Sequence, residues 1–178
     1  MDMRESSAAP ERFTRLYEQH YWSIVYYLVR RLGDEHEARD AAAEVFTVAW
    51  RRLSTVPEDW ALPWLYATAG NVLANAQRSR DRKARLLARL VTQTAPPTLP
   101  NEPMHEAVHV AMSRLSELDQ EILRLSAWED LTPLQIGQVL GCTSNAASVR
   151  LHRARTRLRY ALDEFASIAS TKGNSRER

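Results

Sequence analysis

The chain has 178 residues, a formal net charge of +2 and 44% hydrophobic residues. That is enough for one domain or two small ones, and too near neutrality for a polycation. Its single cysteine, Cys142, excludes an internal disulfide and a thiol-rich metal site. No apolar run approaches the roughly 18 residues that cross a bilayer. Residues 1–10 hold no apolar signal core. A cytoplasmic protein with no membrane insertion is expected.

The charge is unevenly spread. Residues 34–59 hold seven acids against three arginines, whereas residues 78–89 hold six basic residues against one acid. Such segregation suggests separate faces for separate partners. Of the 24 basic residues only Lys83 and Lys172 are lysine. Arginine makes planar, forked contacts to phosphate and guanine, although GC-rich coding gives the same bias. Five glycines and an abundance of Ala, Leu, Arg and Glu favour helix, and the fold is expected to be all-α.

In chain order, Phe13, Leu16, Tyr17, Tyr21, Ile24, Val25, Leu28 and Leu32 recur at helical spacing, and Gly33-Asp34 ends that helix. A second helix is expected from about Glu35 to Leu53, with Ala38, Ala42, Val45, Phe46, Ala49 and Leu53 facing inward. Residues 54–63 contain two prolines and read as a loop that includes Trp60. A third helix starts near Pro63 and runs to about Leu90. Residues 94–103 hold four of the eight prolines and form a stiff, extended linker. The predicted organisation is therefore a helical domain over 11–92, a linker over 93–103, a second helical domain over 104–166 and a disordered tail over 167–178.

The second domain opens with helices near residues 104–115 and 118–129. Thr132 is a good N-cap and Pro133 a good first helical residue. Gly141 ends that short helix, and Thr143 or Ser144 can cap the next. Residues 132–162 then carry five arginines and no acid. This is a helix-turn-helix whose second helix runs into a row of arginines, the pattern of a duplex-DNA reader. Ala147, Leu151, Ala154 and Leu158 form a stripe to bury against Ile136 and Leu140. Asn145, Ser148, Val149, His152, Arg153 and Thr156 then face outward. An outward valine suits contact with a thymine methyl, or is simply exposed. Ser148 and His152 flank it as base readers. Arg150, Arg153, Arg155 and Arg157 suit phosphate contacts.

In the first half, Asp40, Glu44, Thr47 and Arg51 form an outward stripe opposite the apolar face of their helix. Trp60, Trp64, Tyr66 and Asn71 precede a basic run. Rings on which bases stack, with arginines along a backbone, suit single-stranded DNA. Trp64 is equally a candidate for the core, and Trp60 is the better candidate for exposure.

Taken together the chain resembles the bacterial RNA polymerase sigma factors of the extracytoplasmic-function group of the sigma-70 family. The strings that carry the likeness are Phe-Thr-Arg-Leu-Tyr-Glu-Gln-His-Tyr (13–21), Asp-Ala-Ala-Ala-Glu-Val-Phe-Thr-Val-Ala-Trp-Arg (40–51) and Pro-Trp-Leu-Tyr-Ala-Thr-Ala-Gly-Asn (63–71). Leu-Ser-Glu-Leu-Asp-Gln-Glu-Ile-Leu-Arg-Leu (115–125) and Val-Arg-Leu-His-Arg-Ala-Arg (149–155) complete the ordered set. The resemblance implies a non-catalytic subunit that binds core RNA polymerase, β′ and β included, and reads promoter DNA. Asp40, Glu44, Thr47 and Arg51 would dock on the β′ clamp helices. Trp60, Trp64, Asn71, Arg78, Arg80, Arg82 and Lys83 would melt and hold the −10 element, with one base flipped into a pocket. Ser144, Asn145, Ser148, Val149, Arg150, His152, Arg153 and Arg155 would meet the −35 duplex. The resemblance also implies an anti-sigma partner, and no cofactor.

The chain departs from the family pattern at Ala43, where Gln is common, at Thr68 and Gly70, and at Asn145, Ala146 and Ser148 around the reading helix. Two other classes remain open from sequence. A conventional helix-turn-helix regulator would explain the C-terminal half alone. An enzyme would need more than His105 and His109, which have the spacing of a metal pair but no third ligand cluster.

Overall fold

A computed structural model describes residues 5–87 and 103–174. The described residues are helical apart from turns and one short 3₁₀ segment. They fall into two compact units, one carried by the first three helices and the other by the last four.

In the first unit, α1 (Glu5–Leu32), α2 (Glu35–Arg51) and α3 (Ala61–Leu87) pack on one another. α1 begins upstream of the 11–92 boundary and continues through Pro10. Gly33 ends it with φ +73°, and its amide donates to the Val29 carbonyl at 2.8 Å. One residue on, Asp34 accepts from the Glu37 amide at 2.8 Å and starts α2, and Glu35 and Glu37 place negative charge at that helix's positive end. Ala38, Ala42, Val45, Phe46 and Ala49 of α2 are buried, as their spacing predicts. Leu16, Ile24, Val25 and Leu28 of α1 meet them, together with Leu65, Ala69 and Val72 of α3. Each large aliphatic buried here contributes about 1.5–3 kcal/mol.

The α2–α3 connection differs from its predicted form. α2 stops at Arg51, and the buried Leu53 belongs to a 3₁₀ turn over Leu53–Thr55. α3 starts at Ala61, so Pro63 is its third residue. The first four helical amides have no intrahelical partner, and a proline there forfeits no hydrogen bond.

The second unit comprises α4 (Pro103–Ser113), α5 (Glu117–Ala127), α6 (Pro133–Leu140) and α7 (Ser144–Asn174). Residues 93–102 of the expected linker lie outside the described residues. Pro103 is not part of an extended segment: it opens α4, where proline's fixed φ suits the helix. Ser116 caps α5 by accepting from the Asp119 amide at 3.2 Å. Thr132 and Gln135 form a reciprocal capping box on α6, with Pro133 at its first position. Gly141 ends α6 at φ +66°. Ala111, Ile122, Leu125, Ile136, Ala147, Leu151 and Ala154 form the core. Leu140 and Leu158 of the expected stripe are only half-buried.

α7 also runs past residue 166, where the domain was expected to give way to a disordered tail. Between Leu162 and Gly173 the sequence has neither glycine nor proline, so nothing breaks the helix. Residues 175–178 lie outside the described residues.

Candidate functional site

The reading helix owes its placement to a tight turn. At Gly137 an added Cβ would lie 2.7 Å from the Cys142 carbonyl oxygen and 3.3 Å from the Ser144 nitrogen. Only a glycine lets α6 come this close to the turn. The Cys142 amide closes the turn onto the Gly137 carbonyl at 2.8 Å. Of the two cap candidates Thr143 takes the role, accepting from the Ala146 amide at 3.2 Å, and Ser144 becomes the half-buried first residue of α7.

At about 100° per residue, burial of Ala147, Leu151 and Ala154 turns the opposite side of α7 outward. Asn145, Val149, His152 and Arg153 lie along the middle of that side, and all are exposed. Val149 is 42% exposed, an apolar side chain that keeps a large part of its surface open to solvent. Ser148 and Arg155 lie on one flank and Arg150 and Arg157 on the other. The arginines are not equivalent. Arg155 donates to the Ser126 hydroxyl at 3.0 Å, and Arg157 donates to Asp119 at 2.6 Å. Both turn back to α5, so the expected phosphate role of Arg157 meets a competing structural one. Arg155 also borders an apolar groove of about 550 Å³ lined by Val108, Met112, Leu123, Trp128 and Leu158.

On α3, Trp64, Asn71, Arg78 and Arg82 sit at i, i+7, i+14 and i+18, one nearly straight stripe. Asn71, Arg78 and Arg82 are exposed, and Trp64 is half-buried. Arg78 donates to the Asn75 side chain at 2.6 Å, within the same stripe. Arg80 and Lys83 lie on α3 off that line, and their side chains are outside the described residues. Trp60, expected to be the more exposed of the pair, is half-buried like Trp64. Tyr66 does not join this surface. It is 3% exposed and packs against the buried Tyr27 ring at 5.0 Å, with the Arg31 guanidinium 3.5 Å over the other member of the pair, Tyr27.

On α2, Asp40, Glu44, Thr47 and Arg51 are all exposed. Beside them lies a feature that sequence reasoning missed. Phe13, Tyr17, Tyr21, Phe46 and Trp50 wall a groove of about 380 Å³, with Ala43 and Thr47 at its edge. Phe13 meets Trp50 edge-on at 5.1 Å, and Tyr17 meets Phe46 at 4.9 Å. Tyr17 and Trp50 remain substantially exposed. Helical periodicity set Phe13, Tyr17 and Tyr21 on the apolar face of their helix without separating them from its buried members. The available signal was Ala43, whose methyl leaves open a space that a longer side chain would cover. Among the described residues no group of three or more His, Cys, Asp or Glu is placed to hold a metal ion, and no helix is long and apolar enough to cross a membrane.

These surfaces define a class: a two-unit helical protein with a helix-turn-helix in one unit and an aromatic-and-basic helical surface in the other. Residues 16–83 match the family model "Sigma-70 region 2" and residues 105–158 match "Sigma-70, region 4". The chain belongs to the sigma-70 family and, within it, to the extracytoplasmic-function group. It is 27% identical to the RNA polymerase sigma factor YlaC of Bacillus subtilis, over 81% of this chain and 88% of the relative. It is 28% identical to the extracytoplasmic-function sigma factor SigL of Mycobacterium tuberculosis, over 84% of this chain and 88% of the relative. Among solved structures it shares the fold of the sigma factor RpoE from Bartonella quintana, seen in complex with the anti-sigma factor NepR. There the TM-score is 0.61 at 17% identity, covering 84% of this chain and 98% of that one. CnrH, solved with the cytosolic domain of CnrY, gives a TM-score of 0.58 at 20% identity, covering 88% and 95%.

Proposed function

We propose that this chain joins core RNA polymerase in the cytoplasm and directs it to promoters, itself contributing no catalytic group. One observation carries the reading. A single chain presents a capped helix with an exposed outer side in one unit and, in the other, a Trp-Asn-Arg stripe on α3, half-buried at Trp64 and exposed at Asn71, Arg78 and Arg82, together with an exposed acidic stripe on α2. A repressor needs only the first.

In this reading the outer side of α7 enters the major groove of the −35 element. Ser144, Asn145, Ser148, Val149 and His152 meet base edges, and Arg150, Arg153 and Arg155 anchor phosphates. Trp60, Trp64 and Asn71 hold the opened −10 strand by stacking and hydrogen bonding, while Arg78, Arg80, Arg82 and Lys83 follow its backbone. Asp40, Glu44, Thr47 and Arg51 dock on the β′ clamp helices, and the adjoining aromatic groove accepts an apolar side chain of the same partner. RpoE of Bartonella quintana was solved in complex with an anti-sigma factor, and control by such a factor is proposed here too.

The test is transcription in vitro with purified core polymerase on genomic template. Promoter-specific starts that depend on the chain are expected, with co-purification of β′. No specific start on any template, or no association with core polymerase, overturns the reading.

A further inference from the structure

The loop that carries Trp60 is held at its base by one side chain from a distant part of the chain. Arg12 on α1 spends its whole guanidinium on the α2–α3 connection. Nη1 donates to the Leu53 carbonyl at 2.8 Å, Nη2 donates to the Val56 carbonyl at 2.6 Å, and Nε lies 3.3 Å from a Glu58 carboxylate oxygen. The two backbone bonds span 41 and 44 residues of sequence, so they are tertiary and not local. Val56 itself is buried, while residues 57–59 are exposed. At the far end the Trp60 carbonyl accepts from the Trp64 amide at 3.2 Å, which joins the loop to α3. Trp60 is thus fixed between an arginine clamp four residues before it and a helix start immediately after it.

The five loop residues 56–60, which have no regular structure, would otherwise sample several arrangements, and each order imposed in advance is one that a bound strand need not impose. We infer that Arg12 is a positioning residue for capture of the opened −10 strand: by clamping Leu53, Val56 and Glu58 it presets the loop that presents Trp60. The inference rests on the strand-capture reading given above. It assigns a DNA-related role to a residue that lies on neither the basic run nor the aromatic stripe.

The experiment uses holoenzyme reconstituted with the full chain and a single-stranded oligonucleotide from the −10 region of a promoter mapped with that holoenzyme. Four forms are compared: wild type, Arg12→Ala, Arg12→Lys and Trp60→Ala. Arg12→Ala is expected to bind the oligonucleotide about three- to tenfold more weakly, the scale of the entropy of ordering about one backbone residue on binding. Affinity for core polymerase and for −35 duplex should not change. Arg12→Lys, which can still reach one carbonyl, should recover part of the loss and keeps the test open if the alanine variant folds poorly.

Equal losses in strand affinity and polymerase affinity would show that Arg12 merely holds the unit together, and would overturn the inference. Wild-type strand affinity for both Arg12 variants, with Trp60→Ala impaired, overturns it while leaving the strand-capture reading intact. Wild-type affinity for Trp60→Ala as well would remove that reading, and the inference with it.

Discussion

Arg157 of α7 and Asp119 of α5 form an ion pair at 2.6 Å, in which the carboxylate is nearly buried and the guanidinium is not: their side chains are 10% and 59% exposed. Asp119 also has its amide bound to the Ser116 hydroxyl that caps α5. One pair therefore ties the reading helix to the cap of its neighbour. The arginines of α7 are thus not equivalent: Arg157 is held by a carboxylate of its own unit, whereas Arg153 is exposed on the outer side of the helix.

Arg157→Ala should lower stability and leave the salt dependence of DNA binding unchanged. A loss of about 1 kcal/mol is expected, since the exposed guanidinium is partly screened by solvent but its removal strands a buried carboxylate. Arg153→Ala should do the reverse, leaving the melting temperature unchanged and reducing the slope of log affinity against log salt by about one. Thermal melting and a salt titration of promoter binding check both. An unchanged slope for Arg153→Ala would exclude it as a phosphate contact.

The two buried-side glycines should respond oppositely to alanine. At Gly70 a Cβ would meet only the Tyr27 hydroxyl at 3.6 Å, an ordinary contact. Glycine in a helix interior costs about 1 kcal/mol relative to alanine, so Gly70→Ala should stabilise the first unit by up to that amount. Gly137→Ala instead drives a methyl into the Cys142 backbone. It should destabilise the second unit by about 1–3 kcal/mol and weaken −35 binding by displacing the turn before α7. Denaturant melts of the two variants give the comparison, and a stable Gly137→Ala variant would contradict the close approach.

His20 on α1 is half-buried, and burial pushes its pKa below the ordinary histidine value. The unfolded chain therefore binds a proton more readily than the folded one. The contribution of neutral His20 to stability is complete above about pH 6.5 and declines as pH falls through that value toward the folded-state pKa. His20→Gln should flatten the stability profile between pH 7 and pH 5, measured by denaturant melts at each pH. An unchanged slope would show that His20 titrates alike in both states.

Most of the fold was legible in the sequence because its signals are local. Helical spacing placed Ala38, Ala42, Val45 and Phe46 inward. The residues Gly33-Asp34, Thr132-Pro133 and Gly141 marked helix ends through backbone conformations and caps that depend on a few neighbours. The outward side of α7 followed in the same way from Ala147, Leu151 and Ala154, and with it Val149 and Arg153. The ordered strings of both halves identified the family. Tertiary structure decided what periodicity cannot carry, namely which side chain spends its hydrogen bonds on a remote residue. Arg157 on Asp119, Arg155 on Ser126 and Arg12 on the loop before Trp60 each join segments far apart in sequence. The same holds for aromatic side chains that sit between core and surface. Phe13, Tyr17 and Tyr21 have the spacing of core residues, yet α2 offers Ala43 and Thr47 there and leaves a groove. Burial depends on what the facing helix supplies, and that is a property of the packed pair of helices.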